Sequence, residues 1–247
     1  MLLEIATTDF ETTRIAVAGG ADRIELCAGL SEGGITASAG LLKLCRQKFD
    51  IPIYPIIRPR SGDFLYSKEE FEIMMHDVLL CKELGFEGVV MGLLNVYGTI
   101  DLDRMAQLID TAYPLEVTFH RAFDRCLDPG AALEQLVGLG CERILTSGQQ
   151  PTAPEGIQLI ASLQAQAANR IVIMPGSGVR ADSIIDLATQ TCCVEFHTSL
   201  RSLKKSAMEF VHPSFANSSE SYMNPSITIE AIQEIKQKIN AIPQTEG

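Results

Sequence analysis

Three short joints constrain this 247-residue chain more than any other feature of it. Gly20-Ala21-Asp22-Arg23-Ile24, Gly85-Phe86-Glu87-Gly88-Val89 and Gly140-Cys141-Glu142-Arg143-Ile144 share one pattern: a glycine, an acid two residues on, then a β-branched residue. Glycine ends a helix in the left-handed conformation and β-branched residues open strands, so each joint marks a helix giving way to a strand. The joints lie 65 and 55 residues apart, about two βα units each. Filling the gaps gives eight strands, roughly Leu2–Ala6, Arg23–Cys27, Ile53–Ile57, Gly88–Leu93, Glu116–His120, Arg143–Ser147, Ile171–Pro175 and Val194–Thr198. The segments between them have helical period and proper starts. Ser67-Lys68-Glu69-Glu70 fits a capping box ahead of Phe71, Met74, Met75, Val78 and Leu79, which fall on one face. Asp101 can cap a helix carrying Leu102, Met105, Ile109 and Ala112, and Thr228 precedes one with Ile232, Ile235, Ile239 and Ile242.

Eight strands alternating with eight helices predict an α/β fold, a single-domain (β/α)8 barrel of TIM type over residues 1–247 with a closing C-terminal helix. A doubly wound open sheet is the alternative, but it gives the units no reason to number eight. Residues 204–224 are polar and aperiodic, a long loop that reads as a lid, an oligomer arm or a mobile connection.

The formal charge of −11, with no Lys/Arg-rich stripe to offset it, argues against nucleic acid or an anionic membrane as the main partner. No apolar run is long enough to span a bilayer and the start has no basic leader, so a cytoplasmic location is the expectation. Seven cysteines lack any spacing suited to structural zinc and read as reduced, mostly buried thiols.

Side chains alternate faces along a strand, which tells which polar groups share a surface. Glu4, Glu25, Arg58, His120, Glu195 and His197, from five strands, converge near the barrel mouth if their faces point inward. Such a set can pair with itself as structural charge. It can also hold an acid, a base and an anion anchor around one substrate, and six such residues favour that reading. The run Pro175-Gly176-Ser177-Gly178-Val179-Arg180 ends strand seven and lets backbone N–H groups approach an anion, or is simply a tight glycine turn. Arg58 and Arg60 are stronger anion anchors, since a guanidinium grips a carboxylate or phosphate at two points.

Asp22-Arg23-Ile24-Glu25-Leu26-Cys27, Glu32-Gly33-Gly34, Ile57-Arg58-Pro59-Arg60, Gly62-Asp63-Phe64, Val117 to Asp124 and Leu145-Thr146-Ser147-Gly148 together resemble the CutC family in order and spacing, over about residues 1–240. The resemblance implies a TIM-type barrel, a cytoplasmic homo-oligomer, and copper homeostasis with copper(I) binding. Members in which copper(I) is ascribed to cysteines pair the thiol matching Cys27 with another at the position of Ala6. Cys27 is thus the metal-ligand candidate here, and alone it is a poor chelate for a soft ion. Met91 or Met174 could add a thioether if they face inward.

Two functions stay open. The first is a copper(I)-binding protein. The second is an enzyme acting on a small anionic metabolite, phosphorylated or carboxylated. In that reading Glu4, Glu25, His120, Asp124, Glu195 and His197 are the catalytic candidates, with His120 moving a proton, Glu25 or Glu4 as partner base and Asp124 orienting. Arg58, Arg60, Asp63, Ser147, Gly176, Ser177 and Gly178 are the substrate-binding candidates.

Overall fold

A computed structural model describes residues 1–215 and 222–242. Eight parallel strands, β1 (Leu2–Thr7), β2 (Arg23–Leu26), β3 (Ile53–Pro55), β4 (Gly88–Met91), β5 (Glu116–Phe119), β6 (Arg143–Thr146), β7 (Val172–Pro175) and β8 (Glu195–Thr198), form the wall. They alternate with α1 (Phe10–Gly19), α2 (Ala39–Lys48), α3 (Lys68–Leu84), α4 (Leu102–Ala112), α5 (Pro129–Leu139), α6 (Ile157–Ala167) and α7 (Ile184–Thr191). Hydrogen-bonded ladders join β3-β2-β1-β8 and β4-β5-β6-β7. The Ile57 N–H donates to the Val90 carbonyl at 2.7 Å and ties β3 to β4. Strands β7 and β8 lie side by side with no ladder between them among the described residues. The strands therefore run round the barrel in chain order, the TIM-type architecture that the unit count predicts.

The repeated joints have a physical explanation. Gly20, Gly85 and Gly140 sit at φ +91°, +75° and +81° as helix caps, a conformation that side chains with a Cβ rarely adopt. The acid that follows each glycine accepts a backbone N–H from the preceding strand: Asp22 from Leu3 at 2.7 Å, Glu87 from Ile53 at 3.0 Å, Glu142 from Val117 at 2.6 Å. Each carboxylate thus fills the acceptor place that a parallel ladder leaves empty at the amino end of β1, β3 or β5.

Outward-facing Ile5, Ile24, Ile53, Val89, Val117, Ile144, Ile173 and Phe196 are buried against the helices and form the main core. The expected capping box closes, with Glu70 N–H to Ser67 Oγ at 3.2 Å and Ser67 N–H to Glu70 Oε2 at 2.8 Å. The inward stripe of α3 is narrower than its pattern suggests, since Met74, Val78 and Cys81 are buried while Leu79 turns outward. The C-terminal α8 (Ile229–Asn240) buries Ile232, Ile235 and Ile239 and packs on α1, where Gly19 leaves room for Ile232. Thr228 caps it, accepting from Ala231 N–H at 3.2 Å.

The stretch 204–224 is less irregular than its composition suggests. Its ends belong to an exposed antiparallel ribbon of β9 (Ser202–Lys205) and β10 (Met223–Ser226). A surface ribbon buries neither face, so it carries no apolar alternation to reveal it. Residues 216–221, and 243–247 of the expected domain, lie outside the described residues.

Candidate functional site

The barrel interior is charged at its amino end. Arg23, on the first position of β2, donates through Nε to Glu4 Oε2 and through Nη2 to Glu195 Oε2 at 2.7 Å. Arg143, on the first position of β6, donates to the same Glu195 oxygen at 2.7 Å and to Glu116 at 3.2 Å. The Tyr54 ring lies near both guanidiniums, 5.0 Å from that of Arg23 and 5.6 Å from that of Arg143, and its hydroxyl donates to Glu116 at 2.6 Å. Pairing of this kind offsets the cost of burying each charge.

Above this layer stands an acid–base cluster. Glu4 Oε1 lies 2.7 Å from His197 Nδ1, and the other ring nitrogen of His197 is 4.0 Å from Glu25 Oε1. Glu25 Oε2 is buried and has no partner. Burial favours the neutral acid of Glu4, but Arg23 and His197 outweigh it and hold the carboxyl at about 2. Glu25, buried beside Glu4 and given no direct guanidinium, is pushed up to about 7. Burial opposes the charge on His197, yet Glu25 and Glu4 raise its pKa overall. Two carboxylates on neighbouring strands therefore take opposite protonation behaviour, the arrangement from which acid and base roles arise.

A cavity of about 230 Å³ opens over this cluster at the carboxyl end of the strands, lined by Glu25, Arg58, His120, His197, Ser177 and Gly178 among others. Arg58 follows β3, is 4% exposed and has no carboxylate partner among the described residues. Its Nη1 donates to the Glu32 and Gly34 carbonyls, each at 2.9 Å, and Nη2 to Gly62 O at 2.9 Å, leaving Nε buried without an acceptor. The Phe64 ring sits 4.9 Å from this guanidinium and 4.9 Å from the His120 ring. His120 Nδ1 accepts from Ala122 N–H at 3.2 Å, which leaves the ring proton on Nε2, buried and unpartnered. Burial, with the Arg58 charge added, lowers His120 to about 3, so the ring is a neutral donor at ordinary pH. Gly92 and Gly176 make room for the two imidazoles: a Cβ would come within 2.7 Å of His120 at the first and 3.3 Å of His197 at the second.

Other expected site residues lie elsewhere. Arg60 turns away from the cavity and pairs with Glu70 at 2.5 Å and Asp63 at 2.9 Å, because those two carboxylates flank it at the start of α3. Arg60 and Asp63 therefore line no part of it. Glu195 lies below it, taken by two arginines, and Glu4 stands behind His197. Asp124 works one step back, accepting from Thr146 Oγ1 at 2.6 Å, the Ser147 N–H at 3.0 Å and Arg121 Nε at 2.7 Å. Ser147 in turn takes Arg121 Nη2 at 2.8 Å on its hydroxyl, so Asp124 and Ser147 fix Arg121 and line no part of the cavity themselves. Gly176 matters through its lack of a side chain. Three cavity arginines escape the strand-alternation reading: Arg121, Arg180 and Arg201. Arg121 opens a short 3-10 turn and the other two sit in loops, where no strand period tells a side chain's direction; their signal was only a cluster of arginines just past strand ends.

Cys27 does not fit copper(I). Its Sγ is buried and lies 3.4 Å from the Thr7 carbonyl, and burial, then the charge of Glu25, pushes its thiol far above the ordinary range. Ala6 brings no second sulfur. Met174 faces inward but its Sδ accepts from Arg23 at 3.3 Å, and Met91 is in the core between sheet and helices. Among the described residues one group of three His, Cys, Asp or Glu donors comes together, Glu4, Glu25 and His197, with ligand atoms within 4.8 Å of one another. Its oxygen and nitrogen donors are harder than copper(I) prefers, and both Glu4 oxygens are already held by Arg23 and His197.

The CutC family model matches residues 1–202. A CutC family protein of Parabacteroides distasonis is 52% identical over 212 residues, 85% of this chain and 86% of the relative. The human copper homeostasis protein cutC homolog is 47% identical over 215 residues, 87% of this chain and 79% of its own. A crystal structure from Streptococcus agalactiae, named for a copper homeostasis protein CutC, superposes with a TM-score of 0.76 at 34% identity, covering 81% of this chain and 98% of that one.

Proposed function

The chain belongs to the CutC family, and from that premise we propose that its barrel mouth binds a small anionic metabolite and moves a proton on it. One observation carries this reading: in a chain of net charge −11, the cavity gathers Arg58, Arg121, Arg180 and Arg201 against the single acid Glu25. Such focusing of positive charge in a recess attracts and orients anions. Glu25, balanced near neutrality, suits a general base. His197, oriented by Glu4 through Nδ1, is the partner that can return the proton. His120 presents a neutral Nε2–H suited to an oxygen on which negative charge develops.

The reading is tested by heat. Sulfate or phosphate is expected to raise the melting temperature by several degrees over a chloride control of equal ionic strength, because a ligand at a hundred times its Kd adds about 2.7 kcal/mol to the native state. Arg180→Ala combined with Arg201→Ala should lose most of that gain. Equal protection by chloride would count against the anion site.

Copper(I) should bind weakly in a competition titration under reducing conditions. Cys27→Ser should abolish what binding there is, Ala6→Cys should strengthen it at least about tenfold by restoring a thiolate pair, and His120→Ala should leave it unchanged. Tight wild-type binding that ignores Cys27 and needs His120 would overturn the ligand assignment.

A further inference from the structure

The cavity holds two separate sets of unused donors, and they belong to opposite sides of the barrel. The first is on the loops after β7 and β8. Ser177 and Gly178 both stand at positive φ, +74° and +72°. The backbone N–H groups of Ser177, Gly178, Val179 and Ser199 donate to no acceptor among the described residues, although Val179 is buried. Arg180 and Arg201, on the same loops, have no ion-pair partner there. A buried N–H without an acceptor, such as that of Val179, is uncommon, and with three partly or fully exposed N–H groups and two unpaired guanidiniums beside it the loops describe a seat for a group with several acceptor oxygens.

The second set follows β3. The Nη atoms of buried Arg58 donate only to neutral carbonyls, the Phe64 ring and the Tyr66 hydroxyl beside it carry no charge, and its Nε–H has no acceptor among the described residues. A desolvated guanidinium without a counter-ion is costly, and a planar carboxylate across its free edge would remove that cost. Arg121 lines the cavity too, but its Nε and Nη2 are taken by Asp124 and by Ser147 beyond β6. In a barrel whose strands follow chain order, β3 stands opposite β7. Glu25, His120 and His197 line the cavity along with both sets.

We propose that the ligand of this site carries two anionic groups, a phosphate seated by the loops after β7 and β8 and a carboxylate seated by Arg58 across the mouth. The carbon between them then faces the acid–base residues. This assignment rests on the anion reading of the cavity and goes further by fixing both ends of the molecule. A phosphate alone would leave Arg58 uncompensated, and a carboxylate alone would leave the backbone donors empty.

Calorimetric titration with methyl phosphate, acetate and phosphoglycolate separates the possibilities. Phosphoglycolate is expected to bind at least about tenfold tighter than methyl phosphate, the factor that one charge-assisted contact commonly supplies. Arg58→Gln should erase that advantage and leave methyl phosphate within about twofold of wild type. The comparison of the two phosphorylated probes on the wild-type protein needs no variant, so it decides the second seat even if Arg58→Gln fails to fold. Arg180→Gln with Arg201→Gln should weaken both phosphorylated probes together. Equal affinities for phosphoglycolate and methyl phosphate would overturn the second seat while the anion site itself stands. No binding of any probe would remove the anion reading as well.

Discussion

Arg23→Met is expected to destabilise the protein by about 3–5 kcal/mol, the range for breaking a buried ion pair from one side. Arg23 is 3% exposed and holds Glu4 and Glu195 at once. Arg143 still reaches Glu195 in the variant, so the charge left exposed to the loss is that of Glu4. Glu4 stays ionised because Arg23, ahead of His197, outweighs the effect of burial. Without Arg23 it must either remain charged in a low-dielectric interior or take up a proton. Guanidinium denaturation at neutral pH measures the change. Adding Glu4→Gln to Arg23→Met should recover a substantial part, because the same interaction is being removed from both sides. A loss below about 1 kcal/mol would mean that the inner charge layer is relaxed and solvated.

His120→Gln should flatten the acid limb of the stability curve. His120 falls from its ordinary 6.5 to about 3 in the folded protein. Below pH 6.5 the unfolded chain takes up a proton there and the native one does not, so stability is lost as pH falls from about 6.5 to about 3, on the order of 5 kcal/mol in full. Glu25 acts in the opposite sense. Raised to about 7, it holds its proton in the native state and contributes most below its unfolded value of 4.5, an advantage that disappears as pH rises through 7. Glu4 adds a further loss only below about 4.5. The difference between wild type and His120→Gln, followed by urea melts across this range, isolates the histidine. Identical curves would show that His120 is protonated or solvated in the native state.

The fold was legible because three joints repeat a task. Glycine caps the helix and the following acid caps a strand, so the pattern survives in the sequence even where the helices differ. Strand alternation likewise puts Glu25 and His197 on the inward face with Glu4, since a period of two leaves no freedom about direction. Loop residues carry no such period. Arg60 looked equivalent to Arg58, two positions away on one face, yet β3 has already ended at Pro55 and Arg60 meets Glu70 instead. Arg180 and Arg201 reach the cavity only because the chain turns back over it after β7 and β8. Glu195 shares a face with His197 but stands one layer lower, a depth that alternation does not encode.

The three carboxylate clamps also leave something out. Asp22, Glu87 and Glu142 each bind a helix–strand joint to the strand before it, whereas the joint at Cys192-Cys193 carries no acid, and Cys193 N–H turns to its own helix, to Thr191 Oγ1 at 3.2 Å. The same quarter is where β7 and β8 meet without a ladder, held instead by Thr198 Oγ1 on the Val179 carbonyl at 2.7 Å and by His197 against Gly176. The barrel is a hoop riveted at three quarters and merely buttoned at the fourth. That seam runs directly beneath the loops with the unused donors, so whatever molecule seats there would act as the missing fastener.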